Sequence, residues 1–178
     1  MENDTLTKLQ SGIRDVMDFP KPGILFKDIT PLLADPGLFK LSLDALEETM
    51  LGQHVDKLVA IDARGFIFAG ALAERLGAGL VPVRKKGKLP FRTKAVSYDL
   101  EYGSATVEIH EDALHPGESV WLVDDVLATG GTSGAAANLV KLLGARLVGM
   151  TFLIELDFLG GRKVLPQDVP VFSVVRYA

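Results

Sequence analysis

The sequence contains no cysteine. That removes disulfides, cysteine-ligated zinc, iron–sulfur clusters and thiol nucleophiles, and it fits a reducing compartment. The three histidines, His54, His110 and His115, show no metal-ligand spacing and read as surface or strand residues. No stretch approaches the ~18–20 apolar residues of a membrane span. The longest uncharged run, Val126 to Val140, is filled with Gly, Ala, Thr and Ser. The opening MENDTLTKLQ is polar and lacks the apolar centre of a secretory leader. Both absences favour the cytoplasm and no membrane partner. There is little excess charge, 19 basic against 23 acidic residues or −4, so bulk electrostatics gives no reason to expect nucleic acid. Missing too are G-x-x-x-x-G-K-[ST], G-x-G-x-x-G and G-x-S-x-G. The chain therefore has no Walker loop, no dinucleotide fingerprint and no hydrolase nucleophile elbow.

What is present is a chain of 178 residues, 48% of them hydrophobic, the size and composition of one soluble domain. Leu6, Leu9, Ile13 and Val16 fall at helical spacing, so residues 5–16 are expected to form an amphipathic helix. In DFPKPGILFKDITPLL, Pro20, Pro22 and Pro31 exclude a helix interior. The segment is expected to be an ordered loop or edge segment, unusually apolar for one and therefore a candidate for a role. Asp35-Pro36 opens a helix to about Met50.

Beyond it, apolar runs alternate with helical patterns. KLVAID, AGLVPVR, SVWLVDD, ARLVGMTFLIE and VPVFSVVRY read as buried strands. GFIFAGALAERLG and GTSGAAANLVKLLG read as helices closed by Gly77 and Gly144. The expectation is a doubly wound, Rossmann-like α/β core with a mainly parallel sheet of about five strands. Residues 85–115 break the rhythm. AVSYDLEYG and SATVEIH flank Gly103-Ser104 as two antiparallel strands, and an excursion of about thirty residues from such a core is a candidate active-site flap.

Ligands of open α/β sheets bind beyond the carboxyl ends of the strands. The sharpest segment there is VWLVDDVLATGGTSGAAANL. A strand is expected to end at Asp124 and Asp125, and a glycine-rich loop leads into a helix starting near Gly131–Ser133. Amides of Ala128, Thr129, Gly130, Gly131 and Thr132 can converge with the positive end of that helix on an anion, best a phosphate. Carboxylates suit a vicinal diol, so a phosphate cradle beside an acidic pair reads as a ribose-5-phosphate site. Alone, the acidic pair would be a strand end and Gly130-Gly131 a turn; their union in one strand–loop–helix transition makes the functional reading the stronger. Arg64, after Ile61-Asp62-Ala63 at a strand-to-helix turn, can meet phosphate with both amides and guanidinium. Arg84, Lys85 and Lys88 end another strand as a basic cluster, which by itself is equally a solvated patch.

At these residues the chain resembles a known family. VWLVDDVLATGGTSG is similar to the phosphoribosyl pyrophosphate signature of the type I phosphoribosyltransferases. DFPKPGILFKDITPLL, IDARGFIFAGALAERLG, VPVRKKGKLP, YDLEYGSATVEIHEDAL and FLIELDFLGGR resemble the adenine-using branch in particular, in the right order from about Ile13 to Arg162. The resemblance implies one domain over residues 1–178, with a hood of about residues 1–35 and a flap of about 85–115. It implies conversion of adenine and phosphoribosyl pyrophosphate into AMP and pyrophosphate with Mg²⁺, brought mainly by the substrate phosphates rather than by a protein cage, in a homodimer. Asp124 and Asp125 would hold the ribose hydroxyls and Ala128 to Thr132 the 5-phosphate. Arg64, on a loop expected to carry a cis peptide at Asp62-Ala63, would bind pyrophosphate together with Arg84 and Lys88. Glu101 would handle the purine N7 proton and Tyr102 would close over the site. Phe26 would stack on adenine while backbone groups of Leu25 and Lys27 read its edge, Lys27 standing where some relatives have Arg. Other acceptors (hypoxanthine, guanine, xanthine or orotate) remain open from the signature alone. A non-catalytic regulator that binds phosphoribosyl pyrophosphate would need a nucleic-acid-binding face that the sequence does not offer.

Overall fold

The structure is a computed structural model and describes residues 3–99 and 103–178. The chain forms two compact units, residues 1–48 and 49–178.

The first unit runs α1 (Asn3–Ser11), β1 (Arg14–Met17), β2 (Leu25–Asp28), α2 (Thr30–Ala34) and α3 (Pro36–Glu48). The helix expected over residues 5–16 stops at Ser11. Gly12 sits so close to its neighbours that a Cβ would meet Leu38 Cδ1 at 2.8 Å. Residues 14–17 then pair antiparallel with β2, Val16 opposite Phe26 and Arg14 opposite Asp28. The helical spacing of Ile13 and Val16 was real, but cross-strand pairing decided the conformation, reinforced by an Arg14–Asp28 ion pair at 2.6 Å. Pro31 lies in the first turn of α2, where its missing N–H costs nothing. Asp35 caps α3, its Oδ1 accepting the Leu38 amide at 2.8 Å.

The second unit is built on β3 (Lys57–Ile61), α4 (Gly65–Leu76), β4 (Gly79–Lys85), β5 (Thr93–Asp99), β6 (Ser104–His110), β7 (Ser119–Leu127), α5 (Gly131–Leu142), β8 (Arg146–Leu156) and β9 (Val171–Tyr177). Two short 3₁₀ turns, Asp157–Leu159 and Gly161–Val164, lie between β8 and β9. The sheet order is β5-β6-β4-β3-β7-β8-β9. The five strands β4-β3-β7-β8-β9 are mutually parallel, as expected. The sheet has seven strands rather than about five, because the β5–β6 hairpin joins its edge through Arg84↔Glu108 and Lys85↔Val107. The expected antiparallel hairpin is therefore an extension of the core sheet.

From β3 the chain crosses through α4 to β4 on one side, and from β7 through α5 to β8 on the other. Right-handed crossovers in opposite directions put the two helices on opposite faces. The period-two alternation agrees. Val59, Ile61, Val81, Val83, Val120, Leu122, Met150 and Phe152 share a core with Ala135, Ala136, Leu139 and Val140 of α5. Leu58, Ala60 and Val123 alternate with them and are equally buried. No helix among the described residues is long and apolar enough to cross a membrane.

Candidate active site

The sheet order reverses between β3 and β7, and the crevice at such a switch point is where open α/β sheets bind ligands. Both strands deliver the residues singled out above to that place. The β3 register on β7 runs from Lys57↔Val120 to Ala60↔Val123, one residue short of Asp124. Beyond Ile61 the chain makes a cis peptide at Asp62-Ala63, as expected, and Arg64 then occupies the N-cap of α4. The strand expected to end at Asp124-Asp125 instead continues to Leu127, held by β8 through Val126↔Ile154 and Leu127↔Glu155. The pair therefore sits inside a strand, which holds its carboxylates more rigidly than a loop would.

Asp124 and Asp125 are 8% and 5% exposed. Asp124 Oδ1 accepts the Asp125 amide at 2.9 Å. Arg64 Nε lies 2.7 Å from Asp125 Oδ2, yet that oxygen accepts no aligned hydrogen bond. Burial, and then the adjacent Asp125 charge, push the Asp124 carboxyl well above the usual 3.8. Burial also raises Asp125, against the pull of Arg64. Two neighbouring carboxylates with unspent acceptor capacity are suited to a ligand that brings hydroxyl donors. Glycine at the start of α4 permits the approach, since a Cβ on Gly65 would stand 2.6 Å from Asp124 Oδ1.

After Leu127 only residues 128–130 separate strand from helix. Gly130 has φ 81 and caps α5. It must be glycine for a second reason, because a Cβ there would lie 2.3 Å from the Gly161 carbonyl oxygen and 2.6 Å from Val164 Cγ2. The loop is thus pressed onto the 3₁₀ turn after β8 and leads straight into α5, and the first amides of a helix are the donors an anion can use. Thr132, in the first turn, shares a hydrogen bond of 2.8 Å with the Tyr98 hydroxyl.

On the other side of the crevice, Arg84 at the end of β4 donates from Nε to Asp62 Oδ2 at 2.9 Å and from a terminal nitrogen to the Lys88 carbonyl at 3.1 Å. It joins the cis-peptide loop to the basic turn. Glu108 steadies the same turn by accepting the Gly87 amide at 2.9 Å. Lys85 and Lys88 are exposed. Among the described residues no three His, Asp or Glu side chains gather into a metal cage. The donor set is a pair of adjacent carboxylates, which fits an Mg²⁺ ion whose other ligands are phosphate oxygens and water.

The model of the phosphoribosyl transferase domain family matches residues 34–175. An adenine phosphoribosyltransferase of Acidothermus cellulolyticus is 59% identical over 164 residues, covering 92% of each chain. The chain belongs to the adenine phosphoribosyltransferase family. The crystal structure of the family member from Rhodothermus marinus superposes with a TM-score of 0.95 at 53% identity, covering 99% of this chain and 100% of that one. That of Saccharomyces cerevisiae, complexed with an imino-altritol bisphosphate and adenine, superposes with a TM-score of 0.92 at 42% identity over 98% of this chain and 100% of that one.

The structure places Arg64 against Asp125, Arg84 against Asp62 of the loop that carries Arg64, and Ala128–Thr132 directly after the strand that carries Asp124 and Asp125, with Lys88 on the turn that Arg84 reaches. Glu101 and Tyr102 lie outside the described residues. Leu25, Phe26 and Lys27 stand on β2 of the first unit, Phe26 edge-on to Phe19 at 5.1 Å between ring centroids. Lys27 Nζ pairs with Asp15 at 2.6 Å, its cross-strand partner in the β1–β2 register. Sequence reasoning missed Asp62, Glu108, Tyr98 and Gly161. The acid in IDARG and the paired glycines in FLGGR were visible signals. Tyr98 carried none, being one aromatic in an alternating strand.

Proposed function

We propose that residues 1–178 act as one catalytic domain in which Asp124 and Asp125 hold the ribose diol of phosphoribosyl pyrophosphate. In the same reading Ala128–Thr132 cradle the 5-phosphate, and Arg64, Arg84 and Lys88 meet the pyrophosphate. The reaction is transfer of the 5-phosphoribosyl group to adenine, giving AMP and pyrophosphate, a purine salvage step. The observation that carries the site assignment is the buried, incompletely hydrogen-bonded carboxylate pair one turn of chain away from an amide-lined loop.

The chemistry follows from where charge develops. Breaking the C1–pyrophosphate bond leaves a sugar with oxocarbenium character and a leaving group gaining negative charge. Arg64 and the basic turn at residues 84–88 stabilise that charge, and the diol grip of Asp124 and Asp125 fixes the sugar as C1 moves. Mg²⁺, when bound mainly by the substrate phosphates beside Asp124 and Asp125, would supply further neutralisation of the pyrophosphate. Glu101 handles the N7 proton of adenine, and Tyr102 and the hairpin tip exclude the water that would hydrolyse the activated sugar. Phe26 stacks on the base, and a carbonyl and an amide from Leu25 and Lys27 complement the N1 acceptor and C6 amino donor of adenine but oppose hypoxanthine. The working form is a cytoplasmic homodimer.

Purified protein is incubated with Mg²⁺, phosphoribosyl pyrophosphate and, separately, adenine, hypoxanthine and guanine, and nucleotide formation is followed. AMP is expected, with kcat/KM for adenine ahead by about 10⁴ where a buried polar edge discriminates. Comparable use of hypoxanthine would overturn the base assignment.

A further inference from the structure

The hairpin strand β5 and the loop at the start of α5 are far apart in sequence, and the structure bolts them together at one point. The Tyr98 hydroxyl and Thr132 Oγ1 are 2.8 Å apart. The Tyr98 ring lies over Gly131, where a Cβ would stand 2.9 Å from Cδ2, and the Asp99 carbonyl oxygen is 3.7 Å from the same position. Tyr98 is half-buried, so its hydroxyl is directed by packing rather than left to rotate with solvent. A threonine hydroxyl has one proton and two acceptor lone pairs, and a phenol is the better donor of the two.

We infer that Tyr98 is a positioning residue for 5-phosphate binding: its O–H donates to Thr132 Oγ1 and thereby turns the single Thr132 proton outward, toward the anion in the residue 128–132 loop. The inference rests on the phosphate-loop reading above and goes beyond it in assigning a hydrogen-bond relay that begins on the hairpin. Without the phenol, Thr132 rotates freely between donating to the phosphate and donating elsewhere. With it, one orientation is preset, and a chain of two hydrogen bonds strengthens the outer one. The same contact fixes the last residues of β5, Tyr98 and Asp99, against the loop. Occupancy of the phosphate cradle and the placement of Tyr98 and Asp99 at the end of β5 are therefore coupled through one side chain.

The test separates the two ends of the substrate. Ribose 5-phosphate and inorganic pyrophosphate are titrated calorimetrically, each with Mg²⁺, into wild type, Tyr98→Phe, Thr132→Val, Thr132→Ser and the Tyr98→Phe/Thr132→Val double variant. Loss of one neutral hydrogen bond predicts a roughly two- to tenfold weaker Kd for ribose 5-phosphate in Tyr98→Phe, with the pyrophosphate Kd unchanged. Thr132→Ser retains the hydroxyl and is expected to bind within about twofold of wild type. The double variant is expected to lose no more than Thr132→Val alone, the signature of two residues acting as one unit. Equal weakening toward pyrophosphate would show a merely structural role and overturn the inference, as would unchanged ribose 5-phosphate binding in Tyr98→Phe or additive losses in the double variant. Failure of the underlying reading looks different: wild type would not bind ribose 5-phosphate, or Thr132→Val would bind it normally, and the inference would fall with it.

Discussion

Glu155 and the Asp124–Asp125 pair are withdrawn from water to a similar degree, at 3%, 8% and 5% exposure, on the adjacent strands β8 and β7. Their acidities nevertheless move in opposite directions. Burial pushes Glu155 up, but the Arg162 guanidinium forks onto both its oxygens at 2.6 and 2.8 Å. With help from Ser173 and Arg176, the net shift is downward. Burial pushes Asp124 and Asp125 up as well, and there the pull of Arg64 does not reverse it. One carboxylate has all the partners it can use. The other two are held rigidly with acceptor capacity unspent. Burial alone therefore does not set the acidity of a carboxylate in this fold; how fully its partners satisfy it does.

The largest test of that contrast is to remove charge from the unsatisfied pair. Asp124→Asn with Asp125→Asn is expected to lower kcat/KM for phosphoribosyl pyrophosphate by about 10²–10⁴-fold, two charge-assisted hydrogen bonds to the diol at ~1.5–3 kcal/mol each. The fold is retained, as circular dichroism would verify. Near-normal kinetics in the folded double variant would erase the difference between the two centres.

Glu155 is expected to respond in stability. Glu155→Ala leaves Arg162 without its carboxylate, though still donating to the Val171 carbonyl, and costs about 2–3 kcal/mol, below the ~3–5 kcal/mol of a fully enclosed pair, because Arg162 is 39% exposed. In a chain of this size that lowers Tm by about 5–10 °C, measurable by differential scanning calorimetry. A fall in activity without a fall in Tm would place Glu155 with the functional acids.

The smallest effect lies in the pH dependence of Tm, and the two centres give it opposite signs. Glu155 is more acidic folded than unfolded. Its contribution is present above the ordinary 4.5 and is lost as pH falls through the lowered value. Asp124 is less acidic folded than unfolded, so it subtracts stability progressively as pH rises from the ordinary 3.8 through the raised value. Removing it by Asp124→Asn is expected to raise Tm by a few degrees near neutrality and leave the acid limb in place. Glu155→Gln flattens the acid limb and leaves the neutral region's slope. Asp28, drawn down to about 2 chiefly by its hydrogen bond to Arg14, keeps some acid sensitivity in both variants.

Much of this was legible in the sequence where one local pattern had one reading. The apolar strands and Gly-closed helices of the second unit gave the parallel core, and VDDVLATGGTSG gave the strand, loop and helix at its switch point. What was hidden depended on partners distant in the chain. Residues 14–17 became a strand because Phe26 and Asp28 lie opposite them. β7 outran its acidic pair because β8 continues to pair with it. Tyr98 gained a role only from Thr132, a residue on another element. Periodicity records which face of a segment is apolar, and it is silent on which neighbour will claim it.

The contact between Gly130 and the turn at Gly161 and Val164 has a consequence for how the protein comes into being on the ribosome. Every residue assigned to the phosphate cradle has been translated by Thr132, but the floor against which Gly130 is pressed arrives only with Gly161 and Val164, and the last parallel strand only with Val171–Tyr177. A nascent chain that already carries the complete signature loop still lacks the surface that shapes it. The residue 128–132 loop therefore gains its final shape late in synthesis, as a unit with the C-terminal strands.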